Sequence, residues 1–122
     1  MSPEDQKALS NLSAEERYDY LLDAIIKNEQ VWTLQSVDGV VLMSSDRVEC
    51  LPIWPHAELA KEWASGDWDD CYPASIDLDS WMSRWLPGME EDGYSLAMFP
   101  SVNEEGIVMT PAELRDQLET ED

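Results

Sequence analysis

The chain carries one histidine, His56, and two cysteines, Cys50 and Cys71. His56 lies in "CLPIWPHAELAKEW", where an apolar run meets a helix start. In the first turn of a helix the dipole lowers proton affinity, so the imidazole is expected to be neutral near pH 7. A neutral imidazole can act as a general base or a metal ligand. A base also needs a partner in reach and a nucleophile or acceptor position. Nearby in sequence order, on the far side of the following helix, stand Asp67, Asp69, Asp70 and Cys71. The competing reading is a helix-start residue packed on Trp54 or facing solvent. A lone histidine without triad or metal spacing favours that second reading.

The remaining chemistry-bearing groups point the same way. Structural zinc prefers closely paired ligands, and Cys50 and Cys71 are far apart in sequence. Acidic surroundings oppose the lowered thiol pKa that a nucleophilic Cys50 would need, so it reads as a small buried hydrophobe. The acidic runs "GDWDD" and "MEEDG" lack the alternating-oxygen spacing of a calcium loop. No phosphate-binding, dinucleotide-binding, hydrolase-elbow or zincin motif is present. No cofactor and no metal are expected, and catalysis is the less favoured reading.

The six tryptophans divide into two groups. Trp63, Trp81 and Trp85 fall on apolar helix faces and Trp32 on the packed face of a strand, so they read as core. Trp54 closes a strand, and Trp68 stands among Asp67, Asp69 and Asp70. Aromatic and acidic groups together suit a cationic ligand or a basic peptide. The candidate binding set is therefore Trp54, His56, Trp68, Asp69 and Asp70. The competing reading of Trp68 is a lid over the core.

Net charge narrows the partners. With 27 acidic against 7 basic residues, the chain carries a formal charge of -20. Such a field repels phosphate backbones and anionic lipid, which argues against direct nucleic-acid binding and against a membrane face. It attracts a basic protein, with strong salt dependence. The same charge also serves solubility. No apolar h-region opens the chain and no run approaches a membrane span, so a cytoplasmic location with reduced thiols is expected.

These residues must be held by a small fold. Ser13 and Glu16 have capping-box spacing, followed by Tyr18, Leu21, Leu22, Ile25 and Ile26 at helical period. Asp38-Gly39 between two β-rich runs predicts a hairpin. A strand over Val48–Trp54 contains Pro52, which predicts an edge position or poor pairing on one side. A short helix is expected from Pro55 at its first position, and "ASGDWDDCYP" is expected as a loop. "ASID" reads as a short strand, and Asp77 as the cap of a helix that Pro87-Gly88 stops. Two further strands, joined by "VNEE", precede a C-terminal helix opened by Thr110, Pro111 and Glu113. The expected architecture is one α+β domain: a largely antiparallel sheet of about five to six strands with about four helices. Its expected limits are residues 13–118, with 1–12 flexible (a frayed helical turn at most) and 119–122 a frayed acidic tail.

The pieces "ERY", "VW-L", "DG", "LPIWPHAELAKEW", "ID-LDSWMSRWLPGMEEDG" and "LAMFPSVNEEGIVMTPAEL", in this order, resemble the family called domain of unknown function 2750. The resemblance runs from about Ser13 to Leu118. It implies a small bacterial cytoplasmic protein of one domain, and it implies no activity, cofactor or catalytic residue.

The leading expectation is thus a non-enzymatic protein-interaction module for a basic partner, with an immunity or inhibitor role, including mimicry of nucleic-acid charge, as one form. The alternative is a small-ligand-binding protein or enzyme with its site at the Trp54–His56 junction.

Overall fold

The computed structural model describes residues 3–36, 39–40, 42–45, 48–64, 70–100 and 107–120. Helix α1 spans Pro3–Ser10, where only a frayed turn was expected. Leu9 at its end packs on the core, and tertiary cover of that kind stabilises a helix that propensity alone would not. Helix α2, Ala14–Asn28, opens with the expected capping box: Ser13 Oγ accepts from Glu16 N–H, and Glu16 Oε1 accepts from Ser13 N–H, both at 3.2 Å. Its buried face carries Leu21, Leu22 and Ile25.

Strands follow in two sheets. Strands β1 (Gln30–Ser36), β2 (Gly39–Val40) and β5 (Tyr72–Asp77) form one antiparallel sheet in the order β2-β1-β5. Gly39 pairs with Ser36 at φ 122°, a backbone that only glycine adopts readily. The hairpin is therefore present, while Val37 and Asp38 lie outside the described residues. Strands β3 (Met43–Ser45), β4 (Val48–Ile53), β6 (Ser95–Met98) and β7 (Ile107–Met109) form the second sheet, in that order. The α+β class is as expected. The single sheet is in fact two, and β4 and β6 run parallel, because helices intervene between them as a parallel pair requires. The two sheets meet at one bridge, where Trp32 and Trp54 exchange backbone hydrogen bonds of 3.1 and 2.8 Å.

Pro52 explains how β4 serves both sheets. β3 pairs only with Val48–Cys50, and the backbone bridge from β1 falls one residue past the end of β4, at Trp54. Pro52, with no N–H to donate, stands in the gap between them. Its carbonyl accepts from the buried Thr33 hydroxyl at 2.8 Å. So β4 lies inside its sheet, and the missing donor falls where no strand needs it. Strand β5 begins earlier than expected, at Tyr72. It is an edge strand, which accommodates Pro73 opposite Leu34.

Helix α3 (Ala57–Trp63) starts two residues later than Pro55 suggested, with extended His56 as its cap residue. A continuous helical stretch then runs through α4 (Leu78–Ser80), a π-turn (Trp81–Trp85) and α5 (Leu86–Asp92). Asp77 Oδ2 accepts from Ser80 N–H at 3.0 Å, as its expected capping role requires. Pro87-Gly88 does not stop this helix. A proline ring ordinarily collides with the carbonyl four residues back. Here Leu86 N–H reaches five residues back to Trp81 O, and the widened turn just before Pro87 relieves that crowding. The helix ends instead at Gly93, at φ 79°, so "MEEDG" is its last turn rather than an open acidic loop. Helix α6 (Pro111–Thr120) carries the expected cap, with Glu113 N–H donating to Thr110 Oγ1 at 3.2 Å. Leu114 and Leu118 bury its apolar seam.

Candidate functional site

His56 is half-buried and makes a specific contact. Its Nε2 lies 2.7 Å from the Tyr20 hydroxyl, and the two rings meet edge to face at 5.7 Å. Burial lowers the imidazole pKa below its ordinary value, with the Glu58 carboxylate opposing. The expected direction holds, but desolvation is the main cause rather than a helix dipole. Burial, then the Asp5 carboxylate, raise the Tyr20 pKa. A neutral imidazole and a phenol that holds its proton thus share one hydrogen bond, whose donor is set by the imidazole tautomer. The contact ties the side chain of Tyr20 on α2 to the residue that caps α3.

The pair stands at one wall of a cleft of about 580 Å³, lined by Tyr20, Asp23, Ala24, Ile26, Lys27, Asn28 and His56. Helix α2 supplies most of that wall. Glu15, Asp19 and Asp23 fall at i, i+4 and i+8, all exposed, and lead as one stripe to the cleft. Asp5 and Glu58 add their fields at Tyr20 and His56. Lys27 is the basic group in the lining.

The sequence-derived set is not assembled as expected. Trp54 is fully buried, its Nε1 donating to Pro100 O at 2.9 Å and its ring tilted against Trp63 at 5.4 Å. It cannot face a partner, because the apolar run of β4 continues straight into the core. Asp70 is exposed, and Cys71 Sγ lies 3.7 Å from its Oδ1. Trp68 and Asp69 lie outside the described residues. Cys50 and Cys71 are both buried, and neither is in a disulfide. Among the described residues no group of three His, Cys, Asp or Glu is placed to hold a metal. Trp81 is fully buried, whereas Trp32, Trp63 and Trp85 are partly covered against the core.

Sequence reasoning missed Tyr20 and Asp23. A signal existed, since Tyr20 sits off the apolar stripe of α2, an aromatic placed on its wetter side. It also missed Arg17, the fully buried cation on the cleft-bearing helix.

A family model described as "Protein of unknown function (DUF2750)" matches residues 18–118. The chain belongs to the DUF2750 family. That span holds the His56 junction, the π-turn helix and the C-terminal cap, and it ends where Leu118 closes the seam of α6. No curated protein and no solved structure matches the chain. Among the described residues no helix is long and apolar enough to cross a membrane.

The burial of His56 makes stability depend on pH in one direction. Because the native state lowers the His56 pKa, the unfolded chain binds the proton more readily below about pH 6.5. Stability is therefore full above that range and is lost as pH falls toward the lower native pKa. Urea unfolding of wild type and His56→Gln between about pH 5 and pH 7 isolates this contribution. The wild-type advantage is expected to shrink on acidification, and a constant difference would contradict it.

Proposed function

We propose that this DUF2750 protein is a non-catalytic binding module that receives a basic segment of a partner protein along α2 and into the Tyr20–His56 cleft. The observation that carries this reading is the exposed stripe Glu15, Asp19, Asp23. Like charges at i, i+4 destabilise a helix by a few tenths of a kcal/mol per pair. A cation-bearing partner relieves that repulsion, so the stripe is costly alone and favourable in a complex. The net charge of -20 gives the long-range attraction. The cleft gives a place for the bound segment to be held, with the Tyr20 and His56 rings as its aromatic wall. An immunity or inhibitor role against a basic protein is one form of such a module.

The test is affinity capture from lysate at low and high salt, with wild type and with the double variant Asp19→Gln/Asp23→Gln. The variant removes the Glu15–Asp19 and Asp19–Asp23 repulsions and loses one attraction, Asp23–Lys27, so its fold is expected to be at least as stable as wild type. Wild type is expected to retain a basic protein at low salt and release it at high salt, and the variant to retain none. Capture indifferent to salt, undiminished capture by the variant, or no captured protein at either salt would overturn the reading.

A further inference from the structure

A second cleft, of about 430 Å³, opens beside the π-turn helix and uses none of the residues of the α2 site. Leu51, Trp85, Met89 and Tyr94 supply its apolar and aromatic walls, and exposed Arg84 and Asp92 stand at its rim. Its size and lining are those of a small-molecule site.

Two features point to an occupant. The first is Gly88, which lines the cleft in the interior of α5. Glycine is a poor helix residue, so its presence there calls for a reason. No left-handed backbone requires it, and a Cβ added there would meet nothing within 4 Å. Neither conformation nor packing accounts for it. What glycine does at this position is leave the cleft open. The second feature is Arg84. The chain has 27 acids and 7 bases. Among the described residues, Arg115 is ion-paired with Glu90 at 3.4 Å and Arg17 donates to two carbonyls. Arg84 makes no hydrogen bond or ion pair within 4.0 Å there; its nearest recorded acidic influence is at longer range, on Asp77, whose pKa it helps to lower. Its guanidinium donors therefore remain available at the mouth of the cleft.

We infer that this cleft binds a small planar aromatic carboxylate. The ring lies over Gly88 between Trp85 and Tyr94, and the acid group meets Arg84 in a charge-assisted pair. Arg84, Gly88 and Asp92 are spaced four apart and so share one helix face. Asp92 repels the carboxylate from the other end, which fixes the direction of the bound ligand.

The test compares three probes with one ring system: indole-3-acetate, uncharged 3-methylindole and cationic tryptamine. Each is titrated into the full chain, with the Gly88 amide and the Trp85 indole N–H followed by two-dimensional NMR. Indole-3-acetate is expected to shift both resonances saturably and to bind tightest of the three. Arg84→Gln is expected to weaken it roughly tenfold while leaving 3-methylindole unchanged. Gly88→Leu is expected to fill the cleft and abolish binding while keeping or raising the melting temperature, since nothing stands in the way of the new side chain. Should Gly88→Leu fail to fold, the exposed Arg84→Gln variant still decides the matter. Absence of saturable shifts with any probe, tighter binding of tryptamine, or equal affinity of wild type and Arg84→Gln for indole-3-acetate would overturn the assignment. None of these outcomes bears on the α2 stripe, so the two readings fail separately.

Discussion

Arg17→Ala is expected to lower stability by about 3 kcal/mol, a large share of what a domain this size has. Arg17 is fully buried, and two backbone carbonyls accept from its guanidinium. Nε donates to Phe99 O at 3.0 Å and Nη1 to Leu12 O at 2.7 Å. The guanidinium carbon also sits 6.0 Å from the Phe99 ring centroid. These contacts tie the start of α2 to the turn before it and to the end of β6. Phe99 stands at φ 53°, a left-handed conformation that a bulky residue adopts only when its surroundings hold it there. Truncation leaves two carbonyls without their donor, and each such loss costs about 1–3 kcal/mol when the group is buried. Lysine is not expected to rescue the position, because an ammonium on a flexible stem cannot reproduce two forked N–H contacts. Urea denaturation of wild type, Arg17→Ala and Arg17→Lys reads the effect directly. A loss under about 1 kcal/mol for the alanine variant would show that the tie is not structural.

The second large effect separates two buried tryptophans. Trp54→Ala and Trp81→Ala should each cost about 3–5 kcal/mol, because both side chains are fully enclosed. Phenylalanine distinguishes them. Trp54 Nε1 donates to Pro100 O at 2.9 Å, so Trp54→Phe removes volume and strands a buried acceptor. Trp81 Nε1 is buried without a hydrogen-bond partner among the described residues, so Trp81→Phe removes volume and also an unsatisfied donor. Trp54→Phe is therefore expected to be the more destabilising by about 1–3 kcal/mol. Denaturant midpoints with equal slopes provide the comparison, and a reversed order would contradict the hydrogen-bond accounting.

What could be read in the sequence was mostly local. The capping boxes at Ser13 and Thr110 and the cap at Asp77 depend on residues three apart, and they formed as their spacing demands. The Pro87-Gly88 stop did not hold, because proline is tolerated when the turn before it widens, and that widening answers to packing around Trp81 and Trp85. The division into two sheets was equally hidden. It depends on where β4 changes neighbours around Pro52, which is a matter of long-range pairing. The same distinction runs through the site. His56 could be picked out as the single imidazole, but its partner Tyr20 is 36 residues away. Trp54 was read as facing outward from its place at a strand end. The isolated bridge to Trp32 and the indole bond to Pro100 O draw it inward instead. The acidic stripe on α2 was visible as charge and not as a surface until the helix showed which face is buried.

The central claim is that the acidic charge acts at one place rather than as a diffuse field. Titrating a short Arg/Lys-rich peptide into the labelled chain, with every backbone amide followed by NMR, tests it most directly. Saturable shifts are expected, concentrated on α2 around Asp19 and Asp23 and on His56, and weakening as salt rises. Shifts spread evenly over all acidic segments, including α5 and α6, or confined to segments away from α2, would contradict it.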